Sequence, residues 1–157
     1  YPLPEAQLDR FMFNVVLDYP SYEEELEVIK STTSDTNIIL DKVLDAEQII
    51  RYQQLIRKIP VADNVMEYAV KLVAKTRPKT PMATKRVNQF IAWGAGPRAS
   101  QYLVIGAKCH AAINGKFSPD IEDVNAVAIP ILRHRMVKNY KAEAEGLSIE
   151  NIINELL

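Results

Sequence analysis

Gly96-Pro97-Arg98 combines a helix start with a fixed positive charge. Glycine suits an N-cap, and proline suits the first helical position, where its missing N–H is no loss. Arginine then falls in the first turn, where the helix dipole disfavours a cation by roughly 0.3–1 kcal/mol. The same end presents free backbone N–H groups that bind anions, and a guanidinium adds a bidentate contact. The chemistry open to this trio is therefore phosphate binding. The competing explanation is a solvated side chain that reaches outward at little cost. Taken alone, the three residues favour the second explanation.

Leu8-Asp9-Arg10-Phe11 raises a similar question. Arg10 stands just ahead of an apolar run and could project from a sheet edge toward a neighbouring subunit. The plainer reading is an Asp9–Arg10 surface pair, worth little. His110 reads as a satisfied core histidine on an apolar helix face. With two histidines and one cysteine, a metal site built from protein ligands is not expected. Cys109 has no evident activator and reads as an inert buried thiol. Asp120, Glu122 and Asp123 read as charges at a helix start rather than an acid/base pair. Lys75 to Arg86 is basic and contains no acid, but it also lacks aromatics for base stacking, so a solvated loop is expected. Trp93 is expected to pack between elements. No phosphate-binding loop, nucleophile elbow or zinc-protease motif occurs, so this chain alone lacks the parts for catalysis.

These residues need elements to position them. Residues 11–17 are apolar on both alternating faces apart from Asn14, the pattern of a strand buried on two sides. A helix capped by Ser21 follows, running to about Lys30, then a polar linker at 31–37. Asp45 caps a further helix, and Pro60 separates it from one striped by Val65, Met66, Ala69, Leu72 and Val73. Val87 to Trp93 is a short run, read as extended. The helix beginning at Pro97 carries Ala99, Tyr102, Leu103, Gly106, His110 and Ile113 on one face and ends at Asn114-Gly115. Ser118-Pro119 is expected to open the next helix, with Pro130 kinking or ending it. Ser148 to Leu157 is a last helix. One parallel-type strand has no sheet to join here, so its partners are expected upstream, and the chain, which begins at Tyr1, reads as a piece of a longer protein. The strand is accordingly expected to be disordered, rearranged or paired with another copy.

The 157 residues amount to one ordinary domain, or a small domain with part of another, and the 48% hydrophobic and 25% charged content is that of a globular protein. A net charge of −1 gives no overall pull toward nucleic acid or anionic membrane. A single cysteine excludes an intrachain disulfide and fits a reducing compartment, so a cytoplasmic location is expected. No apolar run approaches the roughly 20 residues of a membrane span.

Together these landmarks resemble a family. Tyr-Pro-Leu-Pro-Glu-Ala-Gln-Leu-Asp-Arg-Phe (1–11) is similar to the segment after the sensor 1 strand in MoxR-type AAA+ ATPases. Trp-Gly-Ala-Gly-Pro-Arg-Ala-Ser (93–100) resembles their sensor 2 motif, Gly-Ala-Ser-Pro-Arg-Ala, with Gly96 in place of serine. Ala74 to Arg77 is similar to the family's Ala-x-Thr-Arg. Asn114 to Val124 is similar to its Gly-Arg…Pro-x-Asp-Val stretch, with Gly115-Lys116 for Gly-Arg and Glu122 intervening before Asp123. Leu132-Arg133-His134-Arg135 matches its Leu-x-His-Arg. The landmarks keep family order over almost the whole chain.

The resemblance implies a mainly α fold: a helical-bundle lid at 38–157, preceded at 1–32 by the last strand and helix of a truncated α/β core. It implies that Arg98 is the sensor 2 arginine, with Gly96 and Pro97 beside it at the nucleotide, and that Arg10 is an arginine finger acting on ATP of the next subunit. It further implies ATP and Mg²⁺ in the full-length protein, a ring that is expected to be a hexamer, chaperone-like remodelling, and partners with von Willebrand A-type domains. The fragment alone is expected neither to hydrolyse ATP nor to bind it tightly. The alternative reading is a helical protein-interaction or DNA-binding module using 75–86.

Overall fold

Side-chain caps start most of the helices. In the computed structural model, which describes residues 1, 3–35 and 40–157, the order is α1 (Glu5–Leu8), α2 (Tyr22–Thr33), α3 (Ala46–Lys58), α4 (Asp63–Lys75), α5 (Lys85–Phe90), β1 (Ile91–Trp93), α6 (Pro97–Ile113), α7 (Ile121–Leu132), β2 (Val137–Lys138), α8 (Tyr140–Ala144) and α9 (Ile149–Asn154). Ser21 with Glu24, and Asp45 with Gln48, form reciprocal capping boxes for α2 and α3. Gly96 is the N-cap of α6 and Pro97 its first residue. The fold is mainly helical. Among the described residues no helix is long and apolar enough to cross a membrane.

α6 is the central helix. Its buried face is Ala99, Leu103, Gly106, Ala107 and Ala111. Against it lie Ala69, Leu72 and Val73 of α4 and Val124, Ala128 and Ile131 of α7, with Ile152 and Ile153 of α9 completing the core. Gly106 lets α6 and α7 approach closely: a Cβ there would sit 3.2 Å from both Ile131 and Val127 side chains. Ile113, expected on this face, is 85% exposed, because the stripe drifts to Ala107 and Ala111. β1 and β2 form a short antiparallel pair, Ile91 opposite Lys138 and Trp93 opposite Val137.

Several expectations need correction. Residues 11–17 form no strand. Without a sheet to join, the segment is rearranged onto the helices: Asn14 N–H donates to the Pro130 carbonyl at 2.8 Å and Met12 packs on the core, while Phe11, Phe13, Val15, Val16 and Leu17 stay exposed. α2 continues through 31–33, because the Ser31, Thr32 and Thr33 hydroxyls donate back to the Val28 and Ile29 carbonyls instead of leaving the helix. Residues 36 and 37 of the expected linker lie outside the described residues. Val87 belongs to α5, capped by Thr84, and only the last three residues of 87–93 are extended. α7 starts from Asp120, not Ser118, and continues past Pro130 to Leu132; so near the helix end the ring removes few bonds. Trp93 is 70% exposed, and β2 and α8 have no counterpart in the sequence reading.

Asp123 shows how α6 and α7 are locked. Asp120 Oδ1 accepts from Asp123 N–H, and Asp123 Oδ2 accepts from Asp120 N–H at 2.9 Å. His110 Nδ1 lies 2.7 Å from Asp123 Oδ1, and Lys116 Nζ donates to Oδ2 at 3.1 Å. Burial raises the Asp123 pKa, but the Asp120 amide, His110 and Lys116 together outweigh it and hold it at about 2. A carboxylate depressed in the fold adds stability above its unfolded pKa of about 4, and that contribution disappears as pH falls through the folded value. The shift is worth about 2 kcal/mol. Denaturation midpoints of wild type and Asp123→Asn are expected to converge by about that amount between pH 4 and pH 2. A constant gap across that window would show that Asp123 carries no such linkage.

Candidate functional site

The turn after α1 meets the start of α6 and the chain leaving α7. Asp9 is the hub. Its Oδ2 accepts from Arg98 Nη1 at 2.5 Å and its Oδ1 from Arg135 Nε at 2.9 Å. An acid at the N-terminus of α6 removes the puzzle of a lone cation there: Asp9 supplies the negative charge that this helix end favours. The Arg98 side chain is 43% exposed, and its Nε and Nη2 have no partner among the described residues. Half of its donor fork therefore remains open to an oxyanion.

Arg135 is the buried member, its side chain 1% exposed. Besides Asp9 Oδ1 it donates to the carbonyls of Asp9 (2.9 Å), Phe11 (2.6 Å), Met12 (3.2 Å) and Ile131. The Tyr102 ring lies 5.0 Å from its guanidinium carbon, a cation–π contact. The Tyr102 hydroxyl donates to the Arg10 carbonyl at 2.9 Å. His134 Nε2 lies 3.0 Å from the Phe11 carbonyl, which fixes the proton on that nitrogen. Burial, with neighbouring Arg135 and Arg133, pushes the His134 pKa down against the opposing pull of the Phe11 carbonyl and Asp9. A cleft of about 250 Å³ runs past Asp9, Gly94, Gly96, His134 and Arg135.

The loop carrying Arg98 is braced from α4. Thr76 Oγ1 accepts from Ala95 N–H at 3.0 Å, and Arg77 Nε donates to the Ala95 carbonyl at 2.9 Å. The Ala-x-Thr-Arg and Gly-Ala-Gly-Pro-Arg stretches are thus one structural unit. Gly94 is what allows it: a Cβ there would lie 2.3 Å from the Thr76 carbonyl oxygen.

The structure brings Arg98, Gly96 and Pro97 to within one residue of Arg10, through Asp9. Asp9 does not pair with Arg10. The Arg10 side chain is exposed and has no partner among the described residues. Asp9, Tyr102 and Arg135 are the members sequence reasoning missed. A tyrosine on an apolar stripe was the available signal, since its hydroxyl needs a partner when the ring is covered. Elsewhere, the basic stretch is largely occupied: Lys75 donates to the Leu156 carbonyl, Arg77 to Ala95, and Arg86 pairs with Glu155 at 2.7 Å. Burial pushes the Cys109 thiol up, the wrong direction for a nucleophile. Among the described residues no three or more His, Cys, Asp or Glu side chains are grouped to hold a metal ion.

Residues 83–156 match the AAA lid domain family. The whole chain is 36% identical to Chaperone MoxR1 of Mycobacterium tuberculosis, covering 41% of that protein. It is 33% identical to the uncharacterized protein YeaC of Bacillus subtilis, again over the whole chain and over 47% of the relative. A crystal structure of a protein of Cytophaga hutchinsonii assigned as an ATPase superposes with a TM-score of 0.90 at 35% identity, covering 99% of this chain and 48% of that one. The chain spans less than half the length of each of these relatives.

Proposed function

We propose that this chain, which belongs to the MoxR-type AAA+ ATPases and carries their lid domain, supplies two arginines to ATP hydrolysis in a ring oligomer. Arg98 serves as sensor 2, reaching the γ-phosphate of nucleotide bound beside its own lid. Arg10 serves as the arginine finger for nucleotide bound to the next subunit. The observation that carries this reading is the half-used guanidinium of Arg98 on the carboxylate that immediately precedes Arg10, whose side chain is exposed and without a partner among the described residues. Phosphoryl transfer spreads charge over the transferring group, and positioned arginines stabilise that charge. The γ-phosphate is the stronger anion, so Arg98 can add it to, or exchange it for, Asp9.

Mg²⁺ accompanying the nucleotide would supply charge neutralisation at the phosphates, and none of the described residues is grouped to hold it. This chain offers the nucleotide a cation and the cleft beside it. A phosphate-binding loop and an acidic metal site belong to the remainder of a longer protein. A finger acting in trans requires a neighbour, and a six-membered ring satisfies that geometry. Chaperone-like remodelling in the cytoplasm, on partners with von Willebrand A-type domains, is the use we assign to the cycle.

Arg98→Ala in the full-length protein is expected to lower ATP turnover by about 10- to 100-fold, the worth of a charged hydrogen bond of about 1.5–3 kcal/mol. Arg98→Lys keeps charge without the fork and is expected to recover only part of it. Steady-state hydrolysis at saturating ATP is the measurement, and turnover within twofold of wild type in Arg98→Ala would remove the sensor assignment.

A further inference from the structure

Resting on the assignment of Arg10 as a finger, the geometry points to Arg135 as its positioning residue, acting on the active site of the neighbouring subunit rather than on that of its own. Four of the five acceptors of the Arg135 guanidinium lie in residues 9–12: the Asp9 carboxylate and the carbonyls of Asp9, Phe11 and Met12. The carbonyl it skips, that of Arg10, is taken by Tyr102. Every backbone acceptor of the turn is therefore held by a side chain of α6 or of the segment just after α7. The exposed Arg10 side chain is left without a partner among the described residues.

This arrangement is more than a satisfied buried charge. A guanidinium that needed only neutralising would be content with the Asp9 carboxylate. Here four of its hydrogen bonds, made from a fixed fork, are spent on a turn of four residues, which sets its orientation as well as its charge. The Tyr102 ring over the guanidinium blocks the remaining direction of movement. A finger stabilises a transition state only when its charge arrives at a fixed place, so a loose turn forfeits rate without altering nucleotide affinity in the same subunit. Lysine at 135 keeps the charge but cannot hold four acceptors in one plane.

The test uses mixed rings of the full-length protein. One subunit type carries Arg10→Ala with an intact phosphate-binding loop; the other has a disabled phosphate-binding loop and donates Arg10. Mixing is expected to restore turnover at interfaces that combine the intact halves. Adding Arg135→Gln or Arg135→Lys to the finger-donating subunit is expected to abolish that rescue by at least tenfold. Adding it to the subunit with the intact loop, where it reaches its own site only through Asp9 and Arg98, is expected to lower the rescue severalfold less than the same change in the finger donor. A defect that follows the loop-bearing subunit, or affects both placements equally, overturns the proposal. Absence of any rescue with wild-type Arg135 would instead overturn the finger assignment itself. Should Arg135 variants fail to fold, Tyr102→Phe removes a single hydroxyl and is expected to show the same dependence on subunit at three- to tenfold, and equal effects from both placements would again overturn the proposal.

Discussion

Arg10→Ala in the full-length protein is expected to lower ATP turnover by about 10³- to 10⁵-fold, the worth of an arginine finger in related NTPases. The same change is expected to leave melting and nucleotide affinity close to wild type. The structure gives the reason for the second half. Arg10 is exposed and its side chain has no partner among the described residues, so removing it breaks no hydrogen bond or ion pair among them. Surface changes of this kind normally stay within about 0.5 kcal/mol. The backbone of Arg10 is held by Tyr102 whatever the side chain. A variant that keeps its fold and loses turnover would place the action of Arg10 outside that fold. Single-turnover hydrolysis together with titration of a fluorescent ATP analogue separates the two effects. Turnover within a few fold of wild type would leave Arg10 as an ordinary solvated side chain.

The contrast with Arg98 is instructive. Arg98 is tied to Asp9, so its loss disturbs the hub as well as any phosphate contact. Its expected effect is smaller because it corresponds to the loss of one charged hydrogen bond. The first-turn position of Arg98 looked unfavourable only because Asp9, 89 residues away in sequence, was not visible as its partner.

That distance explains what the sequence could and could not disclose. Helix positions were legible wherever local chemistry decides them: Ser21 and Asp45 as caps, Pro97 at a first turn, Asn114-Gly115 at an end. The apolar stripes of α4 and α6 picked out Val65, Ala69, Leu72, Val73, Ala99 and Leu103 of the core. The run 11–17 misled because an apolar alternation reports burial without saying against what; the segment lies on α7 through Asn14 and beside Gly106 of α6 through Met12. Ser118-Pro119 misled because Asp120 offers the stronger cap, paired reciprocally with Asp123. In the candidate site, Arg98 and Arg10 were singled out through ordered motifs. Arg135 was named only as part of a motif, since nothing local in Leu-x-His-Arg says that its guanidinium gathers carbonyls from residues 9–12.

Gly94→Ala is expected to destabilise the protein by about 3–5 kcal/mol, the sum of overpacking and of two hydrogen bonds lost from a covered loop. A methyl group at Gly94 would stand 2.3 Å from the Thr76 carbonyl oxygen and 2.6 Å from Arg77 Cα. Both are main-chain atoms flanked by α4, so neither can swing aside as a side-chain tip would. The loop must lift, and lifting it parts Ala95 N–H from Thr76 Oγ1 and the Ala95 carbonyl from Arg77 Nε. Arg98 lies three residues beyond Ala95, so the same displacement carries it away from Asp9. Gly96 provides the control. No atom lies within 4 Å of a Cβ built there, and its φ of −79° is open to any residue. Gly96→Ala is therefore expected to cost about 0.5 kcal/mol or less, and Gly96→Ser, with a hydroxyl suited to capping α6, to be neutral or mildly stabilising. Urea denaturation of the three variants reads the comparison directly. Equal costs at 94 and 96 would mean that close approach to Thr76 is not what requires glycine in this loop, and the bracing of Arg98 from α4 would fall with it.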